Sequence, residues 1–117
     1  VGWLKTATTS FGFAMRRLGY YHYSFDEDLY RDWEVRGDPE ALLRVSNYFD
    51  SFDDLPWNCE NLLDHLYRKH PKAKWVLLLR DGDAWFDSYC RFMAKRGKTV
   101  PDSSSRVSMI NSFHEYI

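Results

Sequence analysis

The residues able to do chemistry gather in three short stretches. In the first, "LKTATTS", Lys5, Thr6, Ala7, Thr8, Thr9 and Ser10 stand between a short apolar run and a segment of helical periodicity. Unpaired N–H groups at a helix N-terminus, with hydroxyls and an ammonium beside them, make a cradle for phosphate or sulfate. The competing reading is that Thr8 or Thr9 caps the helix and Lys5 is solvated. A strict Walker A loop is excluded, because it needs two glycines with the lysine after the second, whereas Lys5 precedes the hydroxyls.

The second stretch, "DDLPW", offers Asp53 and Asp54 beside a proline turn, where an Asp commonly makes a turn hydrogen bond. The third, "RDGDAWFDS", has Arg80 directly after an apolar run and Ser88 eight residues on. A guanidinium donates in one plane to several phosphate oxygens, and a hydroxyl early in the next helix can reach the same oxygens. Arg80 could instead pair with Asp81 or Asp83, and Ser88 could be an ordinary serine of a helix surface.

The elements that must position these groups follow from periodicity. Phe11, Ala14, Met15 and Leu18 fall on one face of a helix from Thr9 to Leu18, closed by Gly19. "YYHYSF" (20–25) and "NYFDSF" (47–52) read as strands. "DEDLYRDWEVRG" carries acids first and a basic residue last, as a helix macrodipole prefers, and Pro39 suits the first turn of a further helix to about Val45. Leu62, Leu63 and Leu66 mark a helix from Asn58 to His70 that Pro71 stops. "KWVLLL" (74–79) reads as a central strand covered on both faces. Helices are expected from about Asp83 to Lys95, with Trp85, Tyr89, Phe92 and Met93 near one face, and over 106–117. "VGW" would be the last residues of a strand whose beginning is absent, so a fragment is expected.

Strands alternating with helices predict one α/β domain over residues 1–117. Its architecture is a three-layer open, mostly parallel sheet with helices on both faces. Ligands of such sheets bind beyond the carboxyl ends of the strands, where all three stretches fall.

The 117 residues suit a single core, and an aromatic content of 18% makes that core and any pocket wall aromatic. A net charge of −1 with both signs interspersed leaves no long-range field for nucleic acid or an anionic membrane. Cys59 and Cys90 lie outside any CxxC pattern, which argues against zinc or a disulfide scaffold and for reduced thiols in the cytoplasm. No apolar run approaches the roughly 18 residues of a membrane span.

Taken together, the stretches resemble the PAPS-dependent sulfotransferases. Residues 5–10 resemble that family's 5′-phosphosulfate loop, usually close to P-K-[ST]-G-T-T-[ST]. Arg80 and Ser88 have the spacing of the pair that binds the donor's 3′-phosphate. "YRKHPKAKWVLLLRDGDAWFDSY" is similar to the family's "YP-A-K…RDP..W..S" segment, and "DDLPW" to a D-x-P-W turn of a small-domain branch. The resemblance extends from residue 1 to about residue 95 and implies a P-loop-like fold. It departs at Leu4 for Pro, Ala7 for Gly and Gly82 for Pro, and related enzymes continue into a further strand and a C-terminal segment. A positive φ at position 7 would make Ala costly there, by about 1 kcal/mol.

The resemblance implies in-line transfer of a sulfuryl group from 3′-phosphoadenosine-5′-phosphosulfate (PAPS) to a hydroxyl or amine of a small-molecule or sugar-like acceptor, without a metal. Lys5 and the N–H groups near Thr8 and Thr9 would stabilise the leaving phosphate. Asp54 is the first candidate for the base, ahead of Asp53 and His22. His65 and His70 read as structural or solvated, and Trp57 and Trp85 as core residues ahead of pocket walls. Two rivals stand against this reading: a nucleotide-dependent kinase of the same layered fold, and a sulfotransferase-like domain that binds an anion or a partner without turnover.

Overall fold

The computed structural model describes residues 5–116, the last by its backbone only. The elements run α1 (Thr8–Arg17), β1 (His22–Tyr23), α2 (Glu27–Arg36), α3 (Glu40–Val45), β2 (Ser51–Phe52), α4 (Glu60–Lys69) and α5 (Gly82–Lys95). A 3-10 turn (Ser103–Ser105) and α6 (Arg106–Tyr116) complete them. The strand end read in "VGW" lies outside the described residues.

Local chemistry explains where the helices start and stop. The Asp26 carboxylate accepts the Leu29 N–H at the head of α2, and Gly37 closes that helix at φ 64°, where a residue with a Cβ is strained. Asp81 caps α5 in the same way, accepting the N–H of Ala84. Pro39 precedes the first residue of α3, and α4 ends at Lys69, ahead of Pro71.

β1 and β2 pair in parallel, His22 opposite Ser51 and Tyr23 opposite Phe52. Each is two residues long, shorter than the aromatic runs that announced it. The central strand expected at 74–79 is corrected, since these residues form neither helix nor strand among those described. Apolar content defines a buried strand only when neighbouring ladders and covering helices are supplied. Here Trp75, Val76, Leu77 and Leu79 are exposed. The described residues therefore form an α/β arrangement with one parallel pair, and the three-layer sheet is not seen among them.

Two cores result. Trp33, Leu42, Trp57, Leu62 and Leu66 pack together from α2, α3, the 53–58 corner and α4. Trp85, Phe86 and Phe113 form a second cluster between α5 and α6. Each fully buried large side chain stabilises by about 1.5 to 3 kcal/mol over its exposed state.

The inward face of α1 also needs correction. Its buried residue is Gly12, while Ala14 and Leu18 are exposed. A Cβ at Gly12 would stand 2.6 Å from His22 Nε2 and 3.4 Å from Asp53 Oδ2, so the glycine is what lets α1 settle on the two strands.

Candidate functional site

The loop that opens α1 is held in an uncommon backbone state. Lys5 and Ala7 both lie in the left-handed region, at φ 69° and 70°. Ala7 occupies the cap position, with no side-chain cap bond. The helix starts at Thr8, so neither Thr8 nor Thr9 caps it, and the capping alternative is not realised. The N–H groups of Thr8, Thr9 and Ser10 precede the first intrahelical donor, Phe11, which bonds Ala7 O at 3.0 Å. Thr9 and Ser10 are exposed and Thr8 is half-buried, whereas Thr6 is buried and held by the fold.

Arg80 reaches back across the chain to this loop. Its Nη1 donates to Lys5 O at 2.8 Å. Asp81 serves the α5 cap and Asp83 pairs with Arg106, so neither takes Arg80 in the ion pair that the sequence left open. Ser88 is half-buried on α5, one turn before Phe92. The Lys5 ammonium lies 4.9 Å from the centre of the Phe92 ring, and the Arg96 guanidinium 4.3 Å from the same centre. Both distances are within cation–π range. Lys5, Arg80 and Phe92 thus meet at one place, and Ser88 stands one turn before Phe92 on the same helix.

Phe92 is expected from the sequence only as part of a helix face, and Arg96 lies one residue beyond the expected end of that helix. Their signal was the spacing Ser88, Phe92, Arg96 at i, i+4, i+8, which stacks three residues along one side of a helix.

The corner after β2 holds the candidate base. Asp54 has φ 61°, and its Oδ1 accepts the N–H of Leu55 at 2.8 Å, the turn bond expected beside Leu55–Pro56. Burial pushes the Asp54 carboxyl above its ordinary 3.8. The Leu55 N–H opposes that rise, and the neighbouring Asp53 adds to it. A cleft of about 950 Å³ is lined by Asp54 and also by Thr8 of the loop, with Phe11, Trp57, Trp75 and Val76 among its walls.

Asp53, which also lines this cleft, is tied to His22 behind it. His22 Nδ1 bonds Ser51 Oγ at 2.7 Å, and its Nε2 lies 3.3 Å from Asp53 Oδ2 without the alignment of a hydrogen bond. Ser24 Oγ donates to the other Asp53 oxygen. The cluster is buried between β1, β2 and Gly12, and both Asp53 and Asp54 line the cleft, Asp54 with only its Oδ1 held by a backbone N–H. His65 packs edge-on against Trp33, and His70 Nε2 bonds Ser46 Oγ at 2.8 Å. Among the described residues no group of three or more His, Cys, Asp or Glu side chains could hold a metal ion.

The family model described as "Sulfotransferase domain" matches residues 1–116. The chain belongs to the sulfotransferase family. Comparison with curated proteins and with solved structures returns no match. Two departures of this sulfotransferase domain from the family pattern now have structural meaning. Ala7 sits where φ is positive, so the replaced glycine was the residue that this backbone favours. A Cβ at Gly82 would stand 2.6 Å from Ile110 Cγ2 and 3.0 Å from His114 Nε2, so the glycine in place of proline admits α6 against the start of α5. Among the described residues no helix is long and apolar enough to cross a membrane.

Proposed function

We propose that this sulfotransferase domain transfers a sulfuryl group from PAPS to a hydroxyl or amine of a small-molecule or sugar-like acceptor, within a P-loop-like three-layer fold. The observation that carries the reading is the bond from Arg80 to the carbonyl of Lys5. It joins two stretches 75 residues apart that would grip the two ends of one donor. Lys5 and the N–H groups of Thr8, Thr9 and Ser10 take the 5′-phosphosulfate, and Arg80 with Ser88 takes the 3′-phosphate.

The chemistry is in-line displacement. As the sulfur–oxygen bond to the 5′-phosphate breaks, charge grows on the leaving oxygen, and fixed donors aimed there lower the barrier. Asp54 removes the acceptor's proton across the cleft it shares with Thr8. Its anchored Oδ1 fixes the carboxylate while the second oxygen stays available.

Competitive binding tests the proposal. 3′-Phosphoadenosine-5′-phosphate should bind and ATP with magnesium should not compete well; the opposite ranking would favour a kinase. Binding of the bisphosphate without turnover across a broad acceptor panel would favour a domain that holds the donor without transferring from it.

A further inference from the structure

We infer that Arg96 is an additional anion-binding residue of the donor site and that Phe92 is the positioning residue that holds Lys5 and Arg96 beside it. The inference rests on the sulfotransferase reading and extends it past the residues that the family pattern marks.

Two cations share the Phe92 ring, with Lys5 Nζ 4.9 Å and the Arg96 guanidinium 4.3 Å from its centre. Among the described residues the ion pairs engage other groups, and neither Lys5 nor Arg96 has a carboxylate within reach. Like charges held at one ring repel each other, and the ring's quadrupole offsets only part of that repulsion. An anion entering at the loop relieves it. A phosphosulfate carries negative oxygens on two adjoining groups, so one group can meet Lys5 and the loop N–H groups while Arg96 takes the other. Arg96 is exposed and follows the last residue of α5, so its side chain can turn toward the ligand without unpacking a core. Phe92 is half-buried on α5, so the ring fixes the approach of both cations to the 5′-phosphosulfate end of the site.

Inorganic pyrophosphate and 3′-phosphoadenosine-5′-phosphate are the probes, titrated calorimetrically into the wild-type chain and its variants. Arg96→Gln should weaken both by about 10-fold or more, as loss of a charged hydrogen bond does, and Arg96→Lys should recover part of that loss. Phe92→Leu should weaken both by about 5-fold, and Phe92→Tyr should restore them, because a cation–π contact needs the ring rather than the volume. In the ligand-free wild type, the Lys5 Cε protons should show an upfield ring-current shift that Phe92→Leu abolishes. Affinities of Arg96→Gln within twofold of wild type for both probes would overturn the role of Arg96. An unshifted Lys5 signal, or equal affinities for the Leu and Tyr variants, would overturn that of Phe92. Pyrophosphate binding without binding of the bisphosphate nucleotide would sink the sulfotransferase reading alone, because dependence on Arg96 would still be read with pyrophosphate. Binding of neither by the wild type would sink both.

Discussion

The α2–α4 half and the α5–α6 half are stabilised by different means. The first gathers Trp33, Leu42, Trp57, Leu62 and Leu66 from four segments and closes around an aromatic corner, with Trp57 4.5 Å from Phe52 and 5.6 Å from Tyr23. The second depends on three buried aromatics, with Trp85 and Phe113 stacked at 4.8 Å and an interplanar angle of 2°. Many partners make a core tolerant of one loss, while a single flat stack makes it sensitive. The Lys5 loop adjoins both: α1 settles on the strands through Gly12, and Lys5 meets Arg80 and Phe92. A donor bound there would touch both halves, so ligand affinity reports on how they are joined.

The largest expected effect comes from removing the stack. Phe113→Ala should cost about 3 to 5 kcal/mol, against about 2 to 5 for Leu62→Ala in the other core. If the halves are separate cores, amide exchange of the Phe113 variant should accelerate in α5 and α6 while α2–α4 keep their protection. Uniform acceleration would show one cooperative core instead.

The proposed base, Asp54, lies in the corner that closes the first half and can be tested there without disturbing the second. Asp54→Asn should lower kcat by about 100-fold or more. A base acts in its ionised form, and burial raises the folded pKa of Asp54 above 3.8. The wild-type rate should therefore climb with pH across a window displaced upward from the ordinary carboxylate range, and the variant should lose that limb. The same shift makes the ionised form the less stable one in the fold. Its contribution to stability is present at low pH and is lost as pH rises through the folded pKa, a step that Asn should remove. A rate limb identical in wild type and variant would assign the base elsewhere.

Two smaller changes act on the backbone, one at the start of α5 and one in the loop that adjoins both halves. Gly82→Ala should cost about 1 to 3 kcal/mol by overpacking against Ile110 and His114, read as a lowered midpoint in urea. Ala7→Gly should stabilise by about 1 kcal/mol, because φ is 70° there, and should not weaken binding of the bisphosphate nucleotide. A destabilising Ala7→Gly would mean that the loop relaxes out of the left-handed region.

The helices were legible because their signals are local. Asp26, Gly37 and Pro39 act on the turns beside them, and Leu62 and Leu66 repeat at helical spacing. Residues 74–79 were misread because burial of an apolar run depends on what lies against it, which the run does not encode. The face of α1 was misread for the opposite reason: a glycine has no hydrophobicity to count, yet its lack of a Cβ decides where the helix sits. Arg80 and the Lys5 loop were picked out by motif, but the bond between them is a tertiary fact that spacing could not supply. The sharing of Phe92 by two cations was likewise out of reach, because nothing in the sequence says which loop faces that side of α5.

The central claim is that the Lys5 loop and Arg80 form one donor grip. Calorimetric titration of 3′-phosphoadenosine-5′-phosphate into the wild type and Arg80→Ala tests it most directly. The account predicts saturable binding by the wild type and a loss of about 10-fold or more in the variant. Equal affinities, or no binding by the wild type, would contradict it.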